Sequence, residues 1–281
     1  MGLNLPKNFT EMLKSFVAMG RTLNLSRAAS ESDVARPTLR RHLQQLDELC
    51  QGNLFKLENQ NYRLTDLGEK ALPIAENLLR QSQRFFSPTS SKLGGLMHAS
   101  IKLKDGWFHT QQHRLNDVWQ RAPDTLKSGF ENWSLSQGKL EHEKFRAVRD
   151  RTVVMRPQGG EWICVEIGER SVMANWLGWA SAKSAIGLPI LQNPASNEAN
   201  QLLIDPIDHV AVFGGAWYDH VSARFPRPGA KESNSINYQR LVMHCSFPDQ
   251  TPAVVSLVHT TNDIFIDGVD LDEQEATAMK Q

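Results

Sequence analysis

A chain of 281 residues is comfortable for two domains, and its 40% hydrophobic and 22% charged content is ordinary for a globular protein. The net charge of zero hides an asymmetry: residues 1–90 hold 12 Lys and Arg against 9 Asp and Glu, the remainder 19 against 22. No run of eighteen apolar residues offers a membrane span, and the opening Met1-Gly2-Leu3-Asn4-Leu5-Pro6-Lys7 gives no expectation of a secretory leader.

Phe9, Met12, Leu13, Phe16 and Val17 recur at helical spacing and predict a first helix ending near Gly20. Ser26 stands where it would cap a second helix carrying Ala28 and Ala29, small residues that let two helices cross closely. A turn at Ser32-Asp33-Val34 is expected next, with Val34 inward. Pro37 then opens a third helix, since its missing N–H would be unpaired in a first turn anyway. That helix, about Pro37 to Leu49, carries Leu39, Leu43 and Leu46 on its core side.

Arg36, Arg40 and Gln44 are four apart and share another face, beside Thr38 and Arg41. Arginine can be bidentate to guanine and glutamine to adenine, so this face suits base edges; a solvated amphipathic helix would look the same in isolation. Two short strands, Leu54–Leu57 and Tyr62–Thr65, follow around the polar turn Glu58-Asn59-Gln60-Asn61 and read as a wing. Thr65 or Asp66 then caps a long helix, about Glu69 to Phe86, with Glu69 available for the reciprocal contact.

The segment resembles the winged helix-turn-helix of the LysR-type bacterial regulators. The likeness runs without a gap from Phe16 to Leu72, through Ser26-Arg27-Ala28-Ala29, Val34, Pro37, Leu39, Leu43, Leu46-Asp47, Leu54-Phe55 and Leu64-Thr65-Asp66-Leu67-Gly68-Glu69. The resemblance implies double-stranded DNA as partner, with Ser26, Arg36, Pro37, Thr38, Arg40, Arg41 and Gln44 at the groove and Asn61 and Arg63 on the wing. It also implies a homodimer through the apolar stripe Leu72, Ala75, Leu79 and Phe86; packing of that stripe on the chain's own C-terminal domain is the alternative. Arg40 stands where such regulators usually have serine, and Arg36 where they have glutamine or a small polar residue. Both departures add positive charge, so the usual operator preference cannot be carried over.

Ser87 to Gly95 reads as a linker by composition. Beyond it the alternation of strands and helices expected of a LysR-type sensor is missing, and all seven tryptophans lie in this half. Helices are expected over Trp107 to Arg121 and Leu140 to Arg149, strands over Thr152 to Arg156 and Glu161 to Glu166 across Gly159-Gly160, and a helical stretch around Trp176-Leu177-Gly178-Trp179. Asp208 to Phe225 is interrupted by Gly214-Gly215, and strands Asn237–Cys245 and Ala253–His259 close the domain. This order, with the Val172-to-Ile190 stretch, resembles a PAS-like sensor, which implies a small-molecule effector or a protein partner.

The expected fold class is therefore α+β. It has a winged helix-turn-helix at 1–68, a dimerisation helix and linker at 69–95, and a PAS-like domain with an antiparallel sheet at 96–281. His109, His113 and Asp117 would share one face of the first expected helix, yet a polar surface explains them better than a metal, so no metal site is assigned. His244, Cys245 and His259 are expected on neighbouring strands, with packing the simpler role. Cys50, Cys164 and Cys245 are scattered and odd in number, which suits reduced thiols in a cytoplasm. No phosphate-binding glycine loop, nucleophile elbow, His-Glu-x-x-His or dinucleotide fingerprint is present, and no motif names a cofactor. A transcriptional regulator that senses a small molecule or partner is the expectation. A tethered enzyme, or an interaction module without ligand, is the alternative.

Overall fold

The computed structural model describes residues 6–85, 90–103, 106–158, 161–190, 197–226 and 233–269. The chain divides into two units, Met1–Ser87 and Pro88–Gln281.

In the first unit, helices α1 (Phe9–Thr22), α2 (Leu25–Glu31) and α3 (Arg36–Cys50) precede the hairpin β1 (Phe55–Glu58) and β2 (Asn61–Leu64), and α4 (Asp66–Phe85) closes it. Met12, Phe16, Met19, Ala28, Leu39, Leu46 and Leu54 are almost wholly buried in one core, against which Val34 and Phe55 pack. The paired alanines lie where α2 meets that core, as their size requires. Ser26 does not cap α2. Asn24 does, its side-chain oxygen accepting the N–H groups of Ser26 at 2.9 Å and Arg27 at 3.1 Å. An asparagine two residues upstream thus sets the helix start, and Ser26 falls inside the first turn.

The hairpin turn is the pair Asn59-Gln60, both left-handed with φ of 49° and 65°. Two-residue turns of this hand match strand twist, and asparagine tolerates the conformation.

The second unit is built on one antiparallel sheet of eight strands in the order β3-β4-β5-β8-β9-β10-β6-β7. The strands are β3 (Ser90–Leu93), β4 (Leu96–Leu103), β5 (Gly106–His113), β6 (Thr152–Gln158), β7 (Glu161–Ile167), β8 (Ala216–Pro226), β9 (Ser233–Ser246) and β10 (Pro252–Thr260). Helices α5 (Asp117–Arg121), α6 (Asp124–Leu135) and α7 (Glu143–Arg149) lie between β5 and β6. Helices α8 (Val172–Leu177), α9 (Trp179–Ser184) and α10 (Asn197–Phe213) lie between β7 and β8.

Both faces of the sheet are covered. Val242, Val254 and Trp217 pack with residues of α8 to α10, whereas Leu241, Met243, Val255 and Leu257 pack with Val118, Leu126 and Phe145 of α5 to α7. Toward β4 and β5 the first of these faces continues as Ala99, Ile101, Phe108 and Val221 against Ala199 and Leu202 of α10.

Three expectations are corrected here. Trp107 to Arg121 is not one helix: it is β5 followed by the short α5. Phe108 and Thr110 alternate with His109, Gln111 and His113, and both sets are buried, so the strand carries polar residues on a covered face and shows no apolar alternation. Consequently His109, His113 and Asp117 share no helical face; the two histidines stand about 13 Å apart along a strand. Residues Ser90 to Leu93, expected in a linker, form β3, turned into β4 by Gly94-Gly95 with φ of 58° and 84°. The helix expected from Leu140 begins only at Glu143, where the His142 side chain caps it by accepting the N–H of Lys144.

The hairpin β6–β7 and the closing pair β9–β10 stand where expected, and Gly214-Gly215 separates α10 from β8. Gly159 and Gly160 lie outside the described residues.

Candidate nucleic-acid interface

Helix α3 separates its two faces sharply. Leu39, Leu43 and Leu46 are buried, and Arg36, Pro37, Arg40, Arg41 and Gln44 are exposed. Thr38 is half-buried, and Ser26 is exposed at the start of α2. Three exposed arginines within six residues give this surface a positive potential, which attracts phosphate whatever the base sequence.

The orientation of α3 rests on a buried pair. Ser15 Oγ of α1 lies 2.8 Å from His42 Nδ1, and both side chains are sealed from solvent. Burial holds the His42 imidazole below its ordinary pKa, and Arg41 acts in the same direction against Glu11. No local pattern announced this contact, since its halves lie 27 residues apart.

The wing is fastened to α3 at one residue. The Asp47 carboxylate accepts the Leu54 N–H at 2.8 Å, while Leu54 O accepts the N–H of Thr65 at 3.1 Å. Thr65 Oγ1 donates to Asn53 O at 2.6 Å and accepts the Gly68 N–H at 3.1 Å, capping α4. A side chain at Gly68 would place its Cβ 2.1 Å from Leu54 O, so only glycine admits this approach. The segment Leu64-Thr65-Asp66-Leu67-Gly68 is therefore the joint between wing and helix.

On the wing, Arg63 and Asn61 are exposed. The Arg63 guanidinium reaches Glu58 at 3.4 Å, and Lys56 reaches the same carboxylate at 3.0 Å. The Lys56 contact, then Arg63, holds Glu58 below the usual carboxylate range. Asn61 Nδ2 donates to Asn59 O at 3.2 Å and so braces the turn.

On α4, Leu72, Ala75 and Leu79 are turned into the core of their own unit, whereas Ile74 and Leu78 face solvent. Phe86 lies outside the described residues. Among the described residues no three His, Cys, Asp or Glu are placed to hold a metal ion, and no helix is long and apolar enough to cross a membrane.

The description "Bacterial regulatory helix-turn-helix protein, lysR family" matches residues 10–69, the stretch from α1 through the wing into α4. This segment is a LysR-family helix-turn-helix domain. The HTH-type transcriptional regulator HdfR of Salmonella newport is 38% identical over 74 residues, which is 26% of this chain and 27% of HdfR. The chain thus matches about a quarter of the length of this relative.

Among solved structures, a CbnR DBD–DNA complex is 26% identical with a TM-score of 0.26, covering 27% of this chain and 87% of that one. A BenM DBD/catB site 1 DNA complex is also 26% identical, with a TM-score of 0.27, covering 28% and 88%. The LysR-family match covers residues 10–69 of the first unit and leaves the eight-stranded sheet outside it.

In the second unit, Cys245 packs into the core under α5 to α7, and burial pushes its thiol well above the ordinary range. His244 points to the other face, half-buried, with its imidazole lowered by burial. His259 stands opposite Gln239 in the β9–β10 pairing.

Proposed function

We propose that this protein is a DNA-binding transcriptional regulator, with α3 in the major groove and the wing against the backbone. The observation that carries the reading is the exposed row Arg36, Arg40 and Gln44 on a helix whose opposite face is locked into a core. A rigid helix presenting bidentate donors suits base recognition, and the LysR-family match supports it. Ser26, Pro37, Thr38 and Arg41 would approach the strand flanking the groove, and Arg63 and Asn61 the phosphates near the wing.

A homodimer follows from the same reading, because two half-sites one turn apart need two copies of α3. The exposed Ile74 and Leu78, four apart on α4, give an apolar strip for such pairing, while Leu72, Ala75 and Leu79 fill the unit's own core. The division at 68 and 95 into DNA-binding domain, helix with linker, and sensor belongs to this reading, as do a cytoplasmic location and a role without catalysis. The second unit would sense a small molecule or partner. The PAS-like likeness draws on β6–β7, α8–α9 and β9–β10, whereas β3 to β5 and β8 lie outside it.

Selection of bound duplexes from a random pool tests this directly. A recovered motif with two-fold symmetry and half-sites about ten base pairs apart is expected. Recovery of no enriched sequence would overturn the reading.

A further inference from the structure

After β10 the chain turns back across the sheet, and residues Thr261 to Val269 lie on it without forming a strand. Beneath them the face that is apolar under α5 to α7 becomes polar. Its floor is His98 of β4, Gln111 and His113 of β5, Tyr218 and His220 of β8, and Gln239 of β9. The pairings His98 with Gln111, Gln111 with His220, His113 with Tyr218 and His220 with Gln239 put all six on one side.

These side chains grip the main chain of the crossing segment at alternate residues. Gln239 Nε2 donates to Asp263 O at 2.6 Å, His113 Nε2 lies 3.0 Å from Phe265 O, and His220 Nδ1 accepts the Phe265 N–H at 2.9 Å. Gln111 Oε1 accepts the Asp267 N–H at 2.6 Å, and His98 Nε2 lies 3.0 Å from Asp267 O. Of Thr261 to Val269 only Ile266 is buried, and Phe265 is 55% exposed, so the contact is chiefly to backbone.

The direction of every bond in one circuit is fixed by what its ends can do. An amide N–H only donates, so His220 Nδ1 carries no proton and its Nε2 must hold the one a neutral ring keeps. Nε2 then donates to Tyr218 Oη at 2.8 Å, Tyr218 Oη donates to Gln239 Oε1 at 2.6 Å, and Gln239 Nε2 returns to Asp263 O. A second proton on His220 would face Nδ1–H against the Phe265 N–H and break the circuit where it begins. His113 differs: it donates to a carbonyl, which either of its charge states permits. Its ring lies 3.9 Å from that of His220, close enough that two cations there would repel.

We propose that the segment Asp263–Asp267 is a proton-released strap, closed over the sheet only while His220 is neutral, and that acidification frees it to bare a polar groove. Burial, then the adjacent His113, with Arg121 acting in the same direction, pushes the His220 imidazole down to about 3, and the Phe265 N–H occupies the site a second proton would need. Burial also lowers His113, opposed by Phe265 O, Asp117 and Asp219 and aided by Arg121. The charged or titratable groups around the pair are Asp117 and Arg121 of α5, Asp219 and Tyr218 of β8, Asp263 of the strap, and His259 opposite Gln239. Asp219 is held on the far face by Arg240. A freed imidazole regains its ordinary value, so the closed state weakens by about tenfold for each pH unit below about 6.5. This mechanism is independent of the DNA-binding reading.

Hydrogen exchange on the full chain, corrected for intrinsic rates, tests it between pH 8 and pH 5. Protection of the Phe265 and Asp267 amides should fall as the pH drops, while amides paired between β9 and β10 hold theirs. His220→Asn keeps an acceptor near Nδ1 and cannot titrate, so its Phe265 protection should fall less steeply than in the wild-type chain, with His113 alone left to titrate. His113→Gln keeps a donor to Phe265 O and leaves His220 to titrate, so its Phe265 protection should still fall as the pH drops. Flat protection at Phe265 in the wild-type chain or in His113→Gln overturns the proposal. So does loss in step with the β9–β10 amides, or a wild-type slope in His220→Asn.

Discussion

The Asp47 carboxylate of the third helix accepts the backbone N–H of Leu54 at 2.8 Å, so one bond ties α3 to the start of the wing. Burial raises the Asp47 carboxyl, and the Leu54 N–H counters it. Asp47→Ala strands a half-buried amide, which costs about 1–3 kcal/mol. We expect a lower midpoint for the first unit in urea, with DNA affinity falling on specific and random duplexes alike. An unchanged midpoint would show that the bond does not fasten the wing.

Arg40 and Arg63 are expected to fail in different ways. Arg40→Ala should remove about 1–3 kcal/mol of discrimination between specific and random duplexes, measured by competition binding. Arg63→Ala should weaken all duplexes equally and lower the slope of log affinity against log salt by about one. The same loss of specificity in both variants would place base reading elsewhere.

The Ser15–His42 pair gives the first unit a pH dependence of defined sign. The folded state holds His42 below its ordinary pKa, so under about pH 6.5 the unfolded chain binds the extra proton more readily. Stability is full above that value and falls as the pH drops from it toward the folded pKa. Urea unfolding at pH 7.5 and 5.5 should show this loss, and His42→Leu should reduce it. A midpoint that rises on acidification in the wild-type chain would contradict the assignment.

Arg240 and Asp219 form a buried pair closed by two bonds of 3.0 and 2.6 Å, with Trp217 Nε1 donating to the same carboxylate at 3.1 Å. Burial opposes the charge on Arg240, but Asp219 outweighs it and keeps the guanidinium protonated. Asp219→Ala leaves that cation in the core and should cost about 3–5 kcal/mol in the unfolding of the second unit. Replacing both, as Asp219→Leu with Arg240→Met, should recover most of the loss. A double variant no more stable than Asp219→Ala would mean the pair itself specifies the local packing.

The first unit was legible because its signals are local. Leucines at helical spacing, Pro37 in a first turn, and the segment ending in Gly68 each state their role within a few residues. The α2 cap was misplaced because Asn24 and Ser26 are both good caps two residues apart, and only the φ and ψ of Asn24 decide between them. Strand β5 was hidden for a different reason. The buried His113 finds its hydrogen-bond partner in the Phe265 carbonyl, 152 residues away, so no window along the chain shows why polar residues belong on a covered face. Asp47 was visible in the family-like string, but its bond to Leu54 depends on how the chain bends through Gln51 and Gly52. The inward turn of Leu72, Ala75 and Leu79 is likewise a tertiary fact, since a stripe does not say what it meets.

Strands β4, β5 and β8 turn Ala99, Ile101, Phe108, Val221 and Ala223 toward α10 and His98, Gln111, His113, Tyr218 and His220 toward the strap, and this division guards the alignment of the sheet. Sliding β5 by one residue against β8 would push His109, Gln111 and His113 toward Ala199 and Leu202 and turn Phe108 onto the strap. A one-residue slip therefore buries unbonded imidazoles and carboxamides at once. A chain that must bring Trp107 to Arg224 and His113 to Tyr218 gains from that penalty, because one-residue slips are rejected before they can persist.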